Sequence, residues 1–497
     1  MIKTLSAALT SNQGWMILFL LLAAVVSGAV IVIIPGSFAF IGVAILFFAL
    51  WALPSYWLML ATIGLTPLAY GIVLRVGILD IRLVEVLWLL IFTKQFVLGL
   101  LRQEYLLIKT DIWKPAIMVI VVTSLSVLVS SQPLISFREL LQQVYFLLAL
   151  WTLATSFNEA KRLNQAVKFL IIAATIMTID GFISVYYGNS WLPWVTINAF
   201  SGFRVELSYL KSLEMITTEG VAVPRLAAFY LPSVSTAAFL TQILLILSAL
   251  VFNSDRVKSG LTRWLYWGAL IMIGAAWILT NSRTAMVTLP ALLLLAVFLH
   301  RRRSAIGLAL LLLGIVLALV FTPSLSRLKD AFILDASTNR GHLSQWLTGL
   351  RIFIDHPIFG IGKGMYYFAS PNYGWLSSSK YFLANQMLAH DLYIETIAET
   401  GFPGLAALSW FIYIILRDVW RALRRFSKSS LYPLALGLFL ATVAGFILSF
   451  TSNIHSRDFY WTILGLAYAV TLIPPVTLER RAGMVEDKNE LPRAHRK

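Results

Sequence analysis

Residues 388–416 read LAHDLYIETIAETGFPGLAALSWFIYIIL. The stretch opens with one histidine and three carboxylates, His390, Asp391, Glu395 and Glu399, and then turns almost wholly apolar. A helix needs roughly 20 mostly apolar residues to cross the hydrocarbon core of a bilayer. The run at 398–416 approaches that length, so the stretch reads as the mouth of a membrane-crossing helix with ionisable side chains at its entrance.

The same kind of run recurs along the chain, at 15–34, 37–53, 57–74, 81–100, 115–131, 139–156, 166–187, 226–251, 264–280, 284–299, 304–322, 432–450 and 459–474. With 59% hydrophobic and only 12% charged residues, the chain is predicted to be an all-α, polytopic membrane bundle of about 12–14 transmembrane helices. The first run is too long for the core of a cleaved signal peptide and has only Lys3 before it, so it reads as a span. The absence of cysteine excludes disulfides, cysteine-ligated zinc and a thiol nucleophile.

A net charge of +16 would point to nucleic acid in a soluble protein, but here it follows from topology. With the N-terminus inside, alternate connections collect 23 of the 39 Lys and Arg on one side, including HRRR at 300–303 and RDVWRALRRFSK at 417–428. Both termini are therefore predicted to be cytoplasmic. The sequence divides into a bundle over 1–322 with an outer loop near 188–225, and a long outer loop over 323–389. Helices over 390–474 and a basic, polar tail over 475–497 follow. In the long loop, STNRGHLSQWLTGLRIFIDHP places Leu343, Trp346, Leu347, Leu350 and Ile354 at helical spacing, which predicts an amphipathic helix lying on the membrane or the bundle. GIGKG at 360–364 has no strand before it and no helix signature after it, and reads as a tight turn rather than a phosphate loop.

Arg283, in LTNSRTAMV between two apolar runs, sits where an ionisable group is costly unless it snorkels to headgroups, pairs, or faces water. Arginine suits a diphosphate, which its planar fork can grip through several donors. Arg204, Lys211 and Arg225 in the first outer loop, and Arg340, Arg351 and Lys363 in the second, could converge with it or remain solvated singly. Asp391, Glu395 and Glu399 are four apart, an acidic stripe on a helix that must meet water, arginines or a metal. Pairing with Arg283 or Arg340 is the expectation, because three carboxylates and a histidine are not a specific metal-ligand signature. His390 is either a structural residue or a base able to take a proton from a hydroxyl. Within the spans Glu85, Lys94, Lys168 and Asp180 stand out, and Asp180 and Glu85 alone favour a transporter, which would hold its ionisable groups at mid-membrane.

SRTA at 282–285, NR at 339–340, PIFGIGKG at 357–364 and AHDLYIETIAETGFPGL at 389–405 together resemble the O-antigen ligase and polymerase superfamily of polytopic bacterial glycosyltransferases. The match is closest over about 280–416. Two positions depart from the usual pattern, Thr284 where Gly often stands and Asp391 where Asn often follows the histidine. The resemblance implies a bundle related to the GT-C glycosyltransferases, with an active site at the outer face of the bacterial inner membrane. It implies a glycan donor on undecaprenyl diphosphate, an acceptor glycan or lipid-linked sugar, and no metal or other cofactor. By motif position Arg283 would bind the diphosphate, Arg340 would assist, Arg225 would contribute, and His390 would be the base, with Asp391, Glu395 and Glu399 supporting. The competing reading is a membrane transporter of a small solute or anion.

Overall fold

The structure, a computed structural model, describes residues 50–68, 72–76, 79–102, 110–187, 194–198, 204–208, 213–216, 222–228, 231–253, 261–299, 302–320, 324–329, 337–374 and 388–474. The runs at 15–34 and most of 37–53, and the basic tail, lie outside the described residues.

The helices are α1 (Ser55–Leu65), α2 (Leu83–Arg102), α3 (Trp113–Leu128), α4 (Pro133–Ser156), α5 (Ala160–Tyr187), α6 (Ser233–Asn253), α7 (Leu261–Leu279) and α8 (Arg283–Leu299). They continue with α9 (Arg302–Val320), α10 (Ser324–Lys329), α11 (Ser337–Asp355), α12 (Tyr366–Tyr373), α13 (Leu392–Arg425), α14 (Tyr432–Leu448) and α15 (Asp458–Leu472). By length and composition α5, α6, α7 and α13 can cross a membrane, and α1, α3, α8 and α14 are shorter apolar helices. The architecture is the all-α polytopic membrane bundle that the hydropathy predicts.

The centre of the bundle is α6, buried along almost its whole length. With no hydrophobic drive between helices in lipid, close packing and interhelical hydrogen bonds hold such a centre. Both are visible: Gly437 of α14 brings its backbone so near α6 that a Cβ there would lie 2.7 Å from Ile246 Cα. Gln242 of α6 donates to the Ala441 carbonyl at 2.9 Å, and the Trp277 indole of α7 donates to Thr241 Oγ1 at 2.8 Å. Leu89, Ile117, Leu128, Ile172 and Phe298 stay exposed, the pattern of a surface turned to hydrocarbon rather than water.

Among the described residues six short strands join this bundle, which the hydropathy does not foresee. Strands β1 (Ile72–Val76), β2 (Leu79–Arg82), β3 (Trp194–Asn198) and β4 (Arg204–Ser208) form one sheet in the order β2-β1-β3-β4. Only the β1–β3 pairing is parallel. Strands β5 (Leu213–Ile216) and β6 (Ala222–Arg225) pair as a hairpin. The run at 57–74 therefore does not continue as one helix. Pro67 lacks the N–H that would extend α1, the chain passes through a 3₁₀ turn at Thr66–Leu68, and the β-branched residues after it pair instead.

The amphipathic helix expected in the long loop is present as α11, with its apolar stripe facing outward. Ile354 is 71% exposed, and Leu343 and Leu350 are exposed with it. The opposite face, carrying Ser344, Thr348, Gly349 and Ile352, packs on the bundle, and a Cβ at Gly349 would lie 2.3 Å from Ile394 Cγ2 of α13. Small residues let α11 lie close against α13, and the stripe remains available to the membrane surface.

The decisive local feature is a break in α13. Gly401 has φ 69° and ψ −168°, a conformation essentially reserved for glycine, and Pro403 cannot donate to the Glu399 carbonyl. The freed groups bond instead to the 357–364 loop. Phe402 N donates to Pro357 O at 2.9 Å, Ile361 N to Ala398 O at 3.2 Å, and Gly362 N to Glu399 O at 3.1 Å. Ser126 Oγ of α3 donates to the same Glu399 oxygen at 2.6 Å. GIGKG is thus the tight turn expected, and it serves to splice the loop into the helix break.

A Cβ at Gly401 would lie 2.4 Å from Ile358 O, and the strained conformation alone costs about 1–3 kcal/mol for another residue. Gly401→Ala is therefore expected to lower the melting midpoint in detergent. Gly274→Ala in α7, where nothing lies within 4 Å of the added carbon, is expected to hold or raise it.

Candidate active site

The starts of α8 and α13, the end of α14 and one edge of α11 meet. Leu392 N donates to Ser449 O at 2.9 Å and the Tyr393 hydroxyl to Phe446 O at 3.0 Å, tying the beginning of α13 to the end of α14. Thr284, the second residue of α8, shares a 2.7 Å hydrogen bond with Thr451 just past α14. That contact gives the Thr284 hydroxyl a partner at the position where the resemblance leads one to expect glycine. Leu226 N donates to Leu279 O at 2.9 Å, which ties the segment ending in Arg225 to the turn from which Arg283 opens α8.

Asp391 is the N-cap of α13: its backbone is extended and its Oδ1 accepts from Tyr393 N at 2.8 Å and Ile394 N at 2.9 Å. This explains how the chain tolerates its departure from the family pattern, because Asp and Asn cap helices about equally well. Burial raises the Asp391 carboxyl above its ordinary range, and the two amide donors work against that rise.

The expected arginine pairing of the stripe is corrected. Asp391 is committed to the helix end, while Glu395 and Glu399 meet a lysine, with Lys363 Nζ 3.2 Å from Glu395 Oε1 and 2.7 Å from Glu399 Oε2. Tyr366 N donates to the other Glu399 oxygen at 3.1 Å. Burial works to depress the Lys363 ammonium, but Glu399 and Glu395 override it and hold the pKa above its usual value. The physical reason for the lysine is the helix break, since the splice of 357–364 onto α13 delivers residue 363 beneath the stripe. His455, in the turn before α15, stands 3.6 Å from Glu395 and lines, with Lys363 and Glu395, a cavity of about 120 Å³. Among the described residues no group of three His, Asp or Glu side chains is arranged to hold a metal ion.

His390 precedes the cap with φ 49°, an uncommon conformation for a residue with a side chain. Burial lowers its pKa below the usual 6.5, and Glu395, not Asp391, provides the opposing charge. The neighbouring Asp391 carboxylate is turned to the α13 amides instead. A second imidazole accompanies it. The His342 ring of α11 lies edge-on to His390, centroids 6.2 Å apart at 74°. Burial, then the charges of His390 and Arg283, push its pKa down to about 4.

The structure therefore brings Arg283, His342, His390 and Glu395 into one electrostatic neighbourhood. Arg340 lies on the first turn of α11, exposed and two residues from His342, and Arg225 closes β6. Lys363 stands in the sequence within GIGKG and among the outer-loop basic residues, with nothing there to pair it with the acidic stripe. His342 and His455 carry no pattern of their own, although His342 shares a helix with Arg340 and lies off the apolar stripe. Of the mid-span candidates, Glu85 is at the start of α2, 3.5 Å from Arg82, which also reaches Asp458 at 3.4 Å. Lys94 donates to the Trp51 and Leu53 carbonyls, Lys168 is exposed, and Asp180 is buried in α5.

Residues 267–409, from α7 through the α13 break, match the family described as O-antigen ligase. This is the class of membrane-embedded, glycosyl-transferring proteins of polysaccharide biosynthesis. The matched segment contains the motifs at 282–285, 339–340, 357–364 and 389–405 that resemble the O-antigen ligase and polymerase superfamily. No curated protein matches the chain.

Two outcomes test this geometry. Asp391→Asn should keep the parent's melting midpoint, and Asp391→Ala should lose about 1 kcal/mol through the missing cap. Lys363→Met leaves Glu395 and the buried Glu399 without their cation and should cost about 3–5 kcal/mol in detergent unfolding, far more than replacing an exposed lysine such as Lys168.

Proposed function

We propose that the protein transfers a glycan from an undecaprenyl-diphosphate carrier to an acceptor sugar hydroxyl, as a polymerase or ligase of cell-surface polysaccharide. The observation that carries this reading is the juxtaposition of Arg283 with the imidazoles of His342 and His390 inside the O-antigen ligase segment. The site lies at the outer face of the bacterial inner membrane in this reading, with both termini cytoplasmic. The positive bias of the alternate connections supports that orientation.

His390 is the base. With its pKa lowered by burial it is neutral at pH 7 and can take the proton of the acceptor hydroxyl. The oxygen then attacks the anomeric carbon, the bond to the carrier phosphate breaks, and the diphosphate leaves with the electron pair. Attack opposite the leaving group inverts the anomeric configuration. Arg283, with Arg340 and Arg225, stabilises the charge that gathers on the diphosphate. Glu395 stabilises the imidazolium while His390 holds the proton. A glycan already activated as a diphosphate ester needs no nucleotide, which suits a site outside the cytoplasm.

A transporter would be supported by a broken helix whose free carbonyls line an ion path. The α13 break offers the helix but not the carbonyls, since the Ala398 and Glu399 oxygens accept from Ile361, Gly362 and Ser126. Glu85, one of the two residues favouring transport, is paired with Arg82.

Purified protein supplied with lipid-diphosphate-linked glycan and acceptor should form product. His390→Ala should slow transfer by about a hundred- to ten-thousand-fold and Arg283→Ala by about a hundredfold or more. Parental rates in both variants would sink the assignment. Because the base must be unprotonated and its pKa is lowered, activity should fall off on the acid side with a midpoint below 6.5. A midpoint above that value argues against His390.

A further inference from the structure

His342 Nδ1 is buried and has no hydrogen-bond partner among the described residues. Native structures hold few such atoms, and each calls for an explanation. This one belongs to a residue fixed on both sides. The close approach of Gly349 to Ile394 seats α11 on α13, and Trp346, one turn along, lies 6.5 Å from the His342 ring. The imidazole faces His390 on one side and is within electrostatic reach of Arg283. It is therefore neither a loose surface histidine nor a packed core residue with its polar atoms satisfied.

We propose that His342 is a substrate-contacting residue of the transfer, its neutral imidazole donating an N–H to the donor diphosphate between Arg283 and His390. The inference rests on the diphosphate reading above. Its chemistry follows from the charges already present. On either side of His342, Arg283 is a fixed cation and His390 gains a positive charge when it takes the acceptor proton. A third cation between them would be repelled by both, whereas a neutral ring supplies a donor with no added repulsion. The fork of Arg283 covers only some of a diphosphate's acceptor oxygens, so a donor on the His390 side of it has an oxygen to meet. Held down to about 4, His342 stays neutral throughout the working range of His390.

The test is the affinity of the full-length protein in detergent for bare undecaprenyl diphosphate. His342→Ala should bind it about tenfold more weakly, the loss typical of a hydrogen bond to a charged group. His342→Phe keeps a ring beside Trp346 and His390 but no donor, and should be as weak as the alanine variant. His342→Gln restores an N–H and should return to within about threefold of the parent. The KM for the lipid-linked donor should rise in the same order, with the KM for the acceptor unchanged. Parental affinity in the phenylalanine or alanine variant, or a glutamine variant as weak as phenylalanine, overturns the inference. Loss of affinity in Arg283→Ala with all three His342 variants unaffected overturns it alone. Equal affinity in Arg283→Ala and the parent removes the diphosphate reading, and the role of His342 with it.

Discussion

A helix that must stop hydrogen-bonding to itself inside a membrane protein has to find other partners for its backbone, because the bilayer core offers none. In this protein that constraint falls on α13, where Gly401 leaves the helical region and Pro403 has no proton to give. The groups released are taken up by Pro357, Ile361, Gly362 and the hydroxyl of Ser126. The loop is therefore fixed to the bundle by the helix it interrupts. Much of the site geometry follows from this splice, since it delivers Lys363 to Glu395 and Glu399, and α11 leads directly into it.

The charges around α13 sort into two groups with different duties. Lys363, Glu395 and Glu399 form a largely buried pair-and-a-half that keeps the loop and the helix in register, and removing either partner would leave a charge in a place that cannot solvate it. Arg283, His342 and His390 form the second group, in which burial keeps both imidazoles neutral and only the guanidinium carries charge at rest. Glu395 touches both groups: it pairs with Lys363 and supplies the charge that favours a protonated His390. Structural stability and proton chemistry thus meet at one carboxylate, one turn of helix below the proposed base.

The stripe of Asp391, Glu395 and Glu399 shows where reading the sequence reaches its limit. Its four-residue spacing correctly puts all three on one helix, and like charges at that spacing do need partners. Which partners they find is not a property of the spacing. Asp391 turns to the amides of Tyr393 and Ile394 because it stands at the first turn, where the helix has donors to satisfy. The others find Lys363 because the helix breaks at Gly401, just beyond Glu399. The stripe on α11 is a similar case: its residues are apolar as expected, yet small residues on the other face make the closer contact with α13.

By itself the sequence determined the helical membrane class, the motifs that carry the family, and the candidate status of Arg283, His390 and their neighbours. Those properties depend on hydropathy, spacing and residue type, all of which are local along the chain. The tertiary structure decided that the strand at Ile72–Val76 pairs with the strand at Trp194–Asn198, that Lys363 rather than an arginine neutralises the acidic stripe, and that His342 stands beside His390. These are contacts between segments far apart in sequence. They are fixed by where a backbone must be satisfied and how closely glycines let helices approach, which no single segment records.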